Sequence, residues 1–287
     1  PKKAVSSLTQ TLTSFGLPSD LLLWQFIFLS ILSLAVGVLG GFVGLALGTI
    51  RLPALLLMGL SAPIAAGTNI LVSTLSAATG SVRHLREGRV DLRIVAAMGL
   101  PAMAGAFIGG MASGRISESL LISLAGAFVA WQGVEFLMRA RRDRRPVLPQ
   151  PPQPGEASSR GTFTVGRVTA EATIGGSVGL LGGAVGLILG SIRLPAIINV
   201  LRVDPRVAAG TNLFIGFLMG SMGWIGHAMQ GNVDYPLLAG MGAAAMVGTF
   251  YGARLTGRVS INTLILTMGW VLLAVGLLLL AEAYRRA

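Results

Sequence analysis

Two arginines stand where an apolar chain is not expected to carry charge. Arg51 lies in Gly-x-Ile-Arg-Leu-Pro-Ala at 48–54, and Arg193 lies in the same pattern at 190–196. A charged side chain near the centre of a bilayer costs about 2.5–3.5 kcal/mol on insertion scales and normally faces a partner or a cavity. The apolar stretches 42–60, 62–85 and 92–113 hold no Asp or Glu, and neither do 184–201, 206–227 and 235–255. Both arginines therefore lack a carboxylate at matching depth. A guanidinium fork fits the oxygens of a sulfonate, phosphate or carboxylate. Free N–H groups at the end of a broken helix would add to such a site. The chemistry indicated is capture of a small anion. The competing reading has these arginines snorkelling to an interface or bonding to backbone carbonyls.

Other polar residues repeat beside them. Thr68-Asn69 and Thr211-Asn212 each close an Ala-Ala-Gly-Thr-Asn. They either complete an anion shell or act as polar glue between helices. The glycine pairs Gly40-Gly41 and Gly182-Gly183 precede the arginine stretches and permit a tight turn or a close approach, so they join the candidate substrate-binding positions. His84 and His227 open His-x-x-x-Gly-x-Val-Asp at 84–91 and 227–234. A histidine at a helix end caps carbonyls and suits the negative end of the dipole; proton handling is the other role open to it.

Enzyme chemistry finds no support. The chain has no His-Glu-x-x-His, no Gly-x-Ser-x-Gly and no Walker loop. It has no cysteine and only two histidines, too few for a catalytic metal centre, so neither metal nor cofactor is expected. The net charge of +11 is nearly all arginine. These arginines cluster at the ends of apolar stretches, so they are read as orientation signals and contacts with anionic lipid, not as a nucleic-acid surface.

The elements that must position these residues follow from composition and repetition. Hydrophobic residues make up 53% and charged residues 11%, and mean hydropathy is +0.75. That is the composition of membrane-spanning helices, and the long apolar stretches lack the period-two alternation of a barrel. The motifs recur at an offset of 142 or 143 residues. The chain is thus two copies of one unit, a construction shared by many secondary transporters. Each copy divides into five apolar segments, at 21–41, 42–60, 62–85, 92–113 and 118–138, then 164–183, 184–201, 206–227, 235–255 and 261–283. Segment 21–41 reads as a retained span. The domains expected are an N-terminal segment 1–20, a first transmembrane repeat 21–138, a linker 139–163 and a second repeat 164–284. The linker, with Arg-Arg-Asp-Arg-Arg and a Pro-rich run, has no means of building a core. Ser117 and Ser260 stand where an N-cap belongs. Pro53 and Pro195 predict a discontinuous second helix in each repeat, unwound around the Gly-Arg-Pro centre. Gly105-x-x-x-Gly109 and Gly248-x-x-x-Gly252 read as packing faces.

Orientation rests on equivalent loops. The loop after segment three carries Arg83, Arg86, Arg89 and Arg93 in the first copy and no basic residue in the second. The loop after segment two carries none in the first and Arg202 and Arg206 in the second. Opposite charge on equivalent loops favours opposite faces, hence an inverted five-plus-five arrangement with the linker cytoplasmic. The alternative is a parallel four-plus-four arrangement with a re-entrant second segment.

Arg51-Leu52-Pro53-Ala54-Leu55-Leu56-Leu57, Ala66-Gly67-Thr68-Asn69 and His84-Leu85-Arg86-Glu87-Gly88-Arg89-Val90-Asp91 together resemble the TauE/SafE sulfite-exporter family. Ala209-Gly210-Thr211-Asn212 and Gly231-Asn232-Val233-Asp234 carry the resemblance in the second copy. It implies an all-helical, multi-pass permease of the bacterial inner membrane that moves sulfite, sulfonates or related small organic anions. The expected mechanism is alternating access, with an anion channel as the alternative. The expected partners are the small anion, membrane lipid and a second copy of the chain. With no carboxylate in the middle segments, His84, His227, Glu135 and Glu171 are the titratable groups left for coupling. Transport is then expected to follow the anion's own gradient and the membrane potential.

Overall fold

The computed structural model describes residues 21–43, 47–142, 165–255 and 261–286. All regular structure among them is helical. The first repeat holds α1 (Leu23–Val43), α2 (Gly48–Leu57), α3 (Ala62–Arg86), α4 and α5 (Glu118–Arg142). Helix α4 is composite: Leu92–Ile94, a π-helical Val95–Gly99, then Leu100–Ala112. The second repeat holds α6 (Val165–Val185), α7, α8 (Pro205–Met229), α9 (Tyr235–Leu255) and α10 (Ile261–Arg286). Helix α7 is Gly190–Pro195 followed by a π-helical Ala196–Val200. The five segments read in each copy are therefore all present as helices. Among the described residues, six are long and apolar enough to cross a membrane: α1, α4, α5, α6, α8 and α10. The chain is an all-helical, multi-pass membrane protein. Ser260 and most of the linker 139–163 lie outside the described residues. Ser117 caps α5, its Oγ accepting from Leu120 N–H at 3.4 Å.

Glycine contacts give the direction of each helix pair. Along α3 and α8, Gly67 meets His227, Gly220 meets Thr74 and Gly80 meets Leu213, so the two run antiparallel. Along α5 and α10, Gly126 meets Gly276 and Gly133 meets Gly269, again antiparallel. Between repeats, α1 and α9 run the same way, with Gly37 on Ala245 and Gly41 on Thr249. So do α4 and α6, with Gly175 on Met98, Gly179 on Ala102 and Gly183 on Ala106. Helix α9 also runs with α3, since Thr68 bonds Asp234 and Leu75 meets Gly242. Helices α1 and α3 thus share one direction, and the stretch that contains α2 returns the chain between them. The same holds for α6, α7 and α8, because α8 runs with α4: Thr211 bonds Asp91, Ile215 meets Gly99 and His227 meets Gly110. In hydrocarbon, close backbone approach replaces the hydrophobic drive of water, and small residues permit it.

The break in the second segment is not where the prolines suggested. Helix α2 continues through Pro53, and Pro195 lies inside the helical run of α7. The non-helical stretch of the second repeat is 187–189, upstream of Arg193. It follows Gly186, whose φ of 77° and contact with the Ala66 backbone leave no room for a side chain. The reason is economy of backbone bonds. The first four N–H groups of a helix lack partners anyway, and a proline just beyond them forfeits one more. Unwinding the whole turn at this depth would expose several.

Gly109 tests the packing account. A Cβ there would collide with the Leu180 carbonyl oxygen and the Ala184 N–H. Gly109→Val should destabilise the protein by about 1–3 kcal/mol or more, read as a fall in melting temperature in detergent. Gly166→Ala, where nothing lies within 4 Å, should leave it near wild type.

Candidate anion site

Arg51 and Arg193 are among the most deeply buried side chains, 1% and 0% exposed. Each stands in the first turn of its short helix, three residues after a glycine that presses on the third helix of the same repeat. A Cβ on Gly48 would collide with Ser73 Oγ, and one on Gly190 would lie 2.9 Å from Asn212 Nδ2. Ser73 and Gly216 each occupy the middle of a 25-residue helix, so the guanidinium groups sit near mid-depth. Among the described residues, neither arginine has a carboxylate within ion-pair range. Glu171, itself buried, is bound to Arg167 at 2.9 Å.

The asparagines meet the arginine helices. Asn69 Nδ2 donates to Gly48 O at 3.1 Å and Gly186 O at 2.9 Å; Asn212 Nδ2 donates to Gly190 O at 3.2 Å. Each asparagine thus ties a short helix to the third helix at the level of its arginine. Arg51 Nη2 donates to Ser73 Oγ at 2.9 Å. Arg193 Nε donates to Asn212 Oδ1 at 3.1 Å, Nη2 to Asn212 O at 3.5 Å and Nη1 to Met219 Sδ at 2.8 Å. A cavity of about 10 Å³, room for about one water molecule, opens beside Arg193 and is lined by Gln132, Ser191 and Asn212. The conformation is closed around the arginines.

The threonines do something else. Thr68 Oγ1 accepts Asp234 N–H at 3.0 Å, and Thr211 Oγ1 accepts Asp91 N–H at 2.9 Å. Asp234 and Asp91 in turn begin α9 and α4, their carboxylates accepting Leu237 N–H at 3.0 Å and Arg93 N–H at 2.9 Å. Gly67 and Gly210 admit the Asn232 and Arg89 carbonyls beside these bonds. Each repeat's third helix therefore latches the other repeat's fourth, once at each end of the molecule.

Of the candidate glycines, Gly41 and Gly183 are contact points for Thr249 and Ala106. Gly182 O accepts Leu187 N–H at 2.8 Å in the turn before α7, and Gly40 is buried near the end of α1. His227 is fully buried and joins three helices. Its Nε2–H donates to Gly183 O at 2.7 Å, and its Nδ1 lies 3.1 Å from Ser113 Oγ. His84 is half-buried against Gly210. His227 thus holds neighbouring helices together. Ser73, Gln132 and Met219 were not singled out from the sequence. Ser73 was within reach, lying four residues after Asn69 on the same helical face.

The family profile described as "Sulfite exporter TauE/SafE" matches residues 29–279. The chain belongs to that family. It is similar to three Bacillus subtilis (strain 168) proteins, each named a probable membrane transporter protein. YunE is 24% identical over 273 residues, covering 90% of this chain and 98% of the relative. YdhB is 25% identical over 223 residues, covering 77% and 86%, and YjnA is 24% identical over 256, covering 87% and 98%. No solved structure matches. Family and relatives indicate a membrane transporter.

The latches yield a direct test. Thr68→Val and Thr211→Val keep side-chain shape and strand a buried or half-buried N–H. Each should cost about 1–3 kcal/mol. Because the latches lie at opposite ends, the double variant should show the sum, measured by thermal unfolding in detergent.

Proposed function

We propose that this TauE/SafE family member is a secondary transporter for a small anion such as sulfite, a sulfonate or a related organic acid. It works by alternating access in the bacterial inner membrane. The observation that carries this reading is the pair of fully buried arginines at symmetric positions without a described carboxylate partner. An isolated buried charge is costly, and an anionic ligand is the compensation that a transporter can exchange between its two faces. Asn69 and Asn212 complete the shell, and Thr68 and Thr211 fix the turns beside them. Space for about one water is too little for an oxyanion, so loading requires the bundle to open around the arginines. That requirement favours a carrier over an anion channel.

The antiparallel packing of α3 on α8 and of α5 on α10 supports inverted five-plus-five repeats, since equivalent helices then run in opposite directions. The shared direction of α1 and α3 supports a second segment that crosses.

Two measurements test this. Sulfite flux and affinity in proteoliposomes should fall at least about ten- to hundredfold in an Arg51→Ala, Arg193→Ala double variant. A well-folded double variant with wild-type affinity would remove the site. Single cysteines at the exposed Glu87 and Gln230, in this cysteine-free chain, should label from opposite sides of the membrane. Labelling from one side would establish parallel repeats instead.

A further inference from the structure

The two arginine sites are built from the same motif and are not in the same state. In the second repeat, Arg193 Nε and Asn212 Oδ1 are bonded to each other at 3.1 Å. In the first repeat, the equivalent atoms, Arg51 Nε and Asn69 Oδ1, are both buried and both without a partner among the described residues. Arg51 Nη1 and Thr49 Oγ1 are buried without partners too. The same arginine–asparagine bond is therefore closed in one repeat and open in the other.

The sequence explains the difference. Where the first repeat has Ser73, the second has Gly216; where the first has Ser76, the second has Met219. Ser73 Oγ takes Arg51 Nη2. No hydroxyl competes at Gly216, so Arg193 settles on Asn212, and Met219 Sδ takes its Nη1. Ser76 donates its hydroxyl to Val72 O at 3.2 Å, and Arg51 makes no bond to it among the described residues. These are differences of residue type, so the two sites do not simply exchange roles during a cycle.

We infer that the arginines have divided the work: when the bundle opens, Arg51 receives the anion on its unpartnered Nε–H and Nη1–H together with the unpartnered Asn69 Oδ1, and Arg193 is a positioning residue locked into the fold. The inference rests on the anion-transport reading above and sharpens it. It also sets the ligand's chemistry. Nε–H and Nη1–H of Arg51 need acceptor oxygens, whereas Asn69 Oδ1 needs a donor, since both Nδ2 hydrogens are spent on Gly48 O and Gly186 O. An oxyanion that carries one O–H, such as hydrogen sulfite, offers both. A fully deprotonated sulfonate leaves Asn69 Oδ1 unpaired.

The test is titration calorimetry on the purified full chain with sulfite and with methanesulfonate, alongside melting temperatures. Arg51→Ala should weaken sulfite about ten- to hundredfold while leaving the melting temperature unchanged or raised. Ser73→Gly should let Arg51 close onto Asn69 and weaken sulfite about two- to tenfold. Arg193→Ala should mainly lower the melting temperature; if it does not fold, Met219→Leu loosens the same lock and should lower melting with little change in affinity. Wild type should prefer sulfite to methanesulfonate. Equal affinity losses from Arg51→Ala and Arg193→Ala overturn the division of labour and leave the anion site standing. Loss at Arg193 alone reverses it. Wild-type affinity in Ser73→Gly, or no preference between the two anions, rejects Arg51 with Asn69 as the binding place. No binding of either anion by wild type removes the anion reading itself.

Discussion

A guanidinium in the middle of an apolar bundle is the most expensive group this chain carries, and it carries two. Each must be held, hydrogen-bonded and shielded from hydrocarbon. The surrounding architecture answers those needs. The short second helices bring the arginines to mid-depth. The glycines at 48 and 190 let those helices lie directly on the polar face of the third helices. Asn69 and Asn212 then tie the first-turn carbonyls of Gly48 and Gly190 to the third helices. The other helices enclose this centre.

The two repeats do not pack as separate bundles. Helix α1 of the first lies on α9 of the second, and α4 of the first lies on α6 of the second. The Thr–Asp latches cross in the same reciprocal way. Neither repeat can bury its small-residue faces or complete its helix caps without the other. A unit of this kind has one set of contacts that must persist, namely the interleaved glycine faces. It also has a central region where bonds can be remade, because a guanidinium has more donors than the fold uses. Motion between repeats that spares the first set and alters the second is what alternating access requires.

Much of this was legible in the chain. The five segments per repeat, the glycine faces at 105–109 and 248–252 and the polar centre at Arg51 and Arg193 all followed from spacing and composition. Pro53 and Pro195 misplaced the helix break, because proline forbids one hydrogen bond and not a helical φ. The break at 187–189 was marked instead by Gly186, which only its neighbour Ala66 makes necessary. Thr68 and Thr211 read equally as ligand groups or as polar glue between helices, since a hydroxyl beside an asparagine suits either. Their true bonds, to Asp234 and Asp91, span 166 and 120 residues, and no local pattern reports a contact between repeats. Gln132 was hidden for the same reason: its cavity is formed with the other repeat's arginine.

Duplication makes two equal sites, and substitution then makes them unequal. The cheapest way to do so is to change what competes for the charged group, leaving the group itself in place. A hydroxyl at 73 and a hydrogen at 216 suffice to draw one guanidinium away from its asparagine and leave the other bound. A locked arginine contributes its positive field at no ordering cost. An under-bonded one keeps donors in reserve for a ligand. A transporter gains from having one of each. Two locked sites would bind weakly. Two open sites would hold four or more unsatisfied donors in hydrocarbon while empty, at about 1–3 kcal/mol apiece, a large share of the stability of a typical fold.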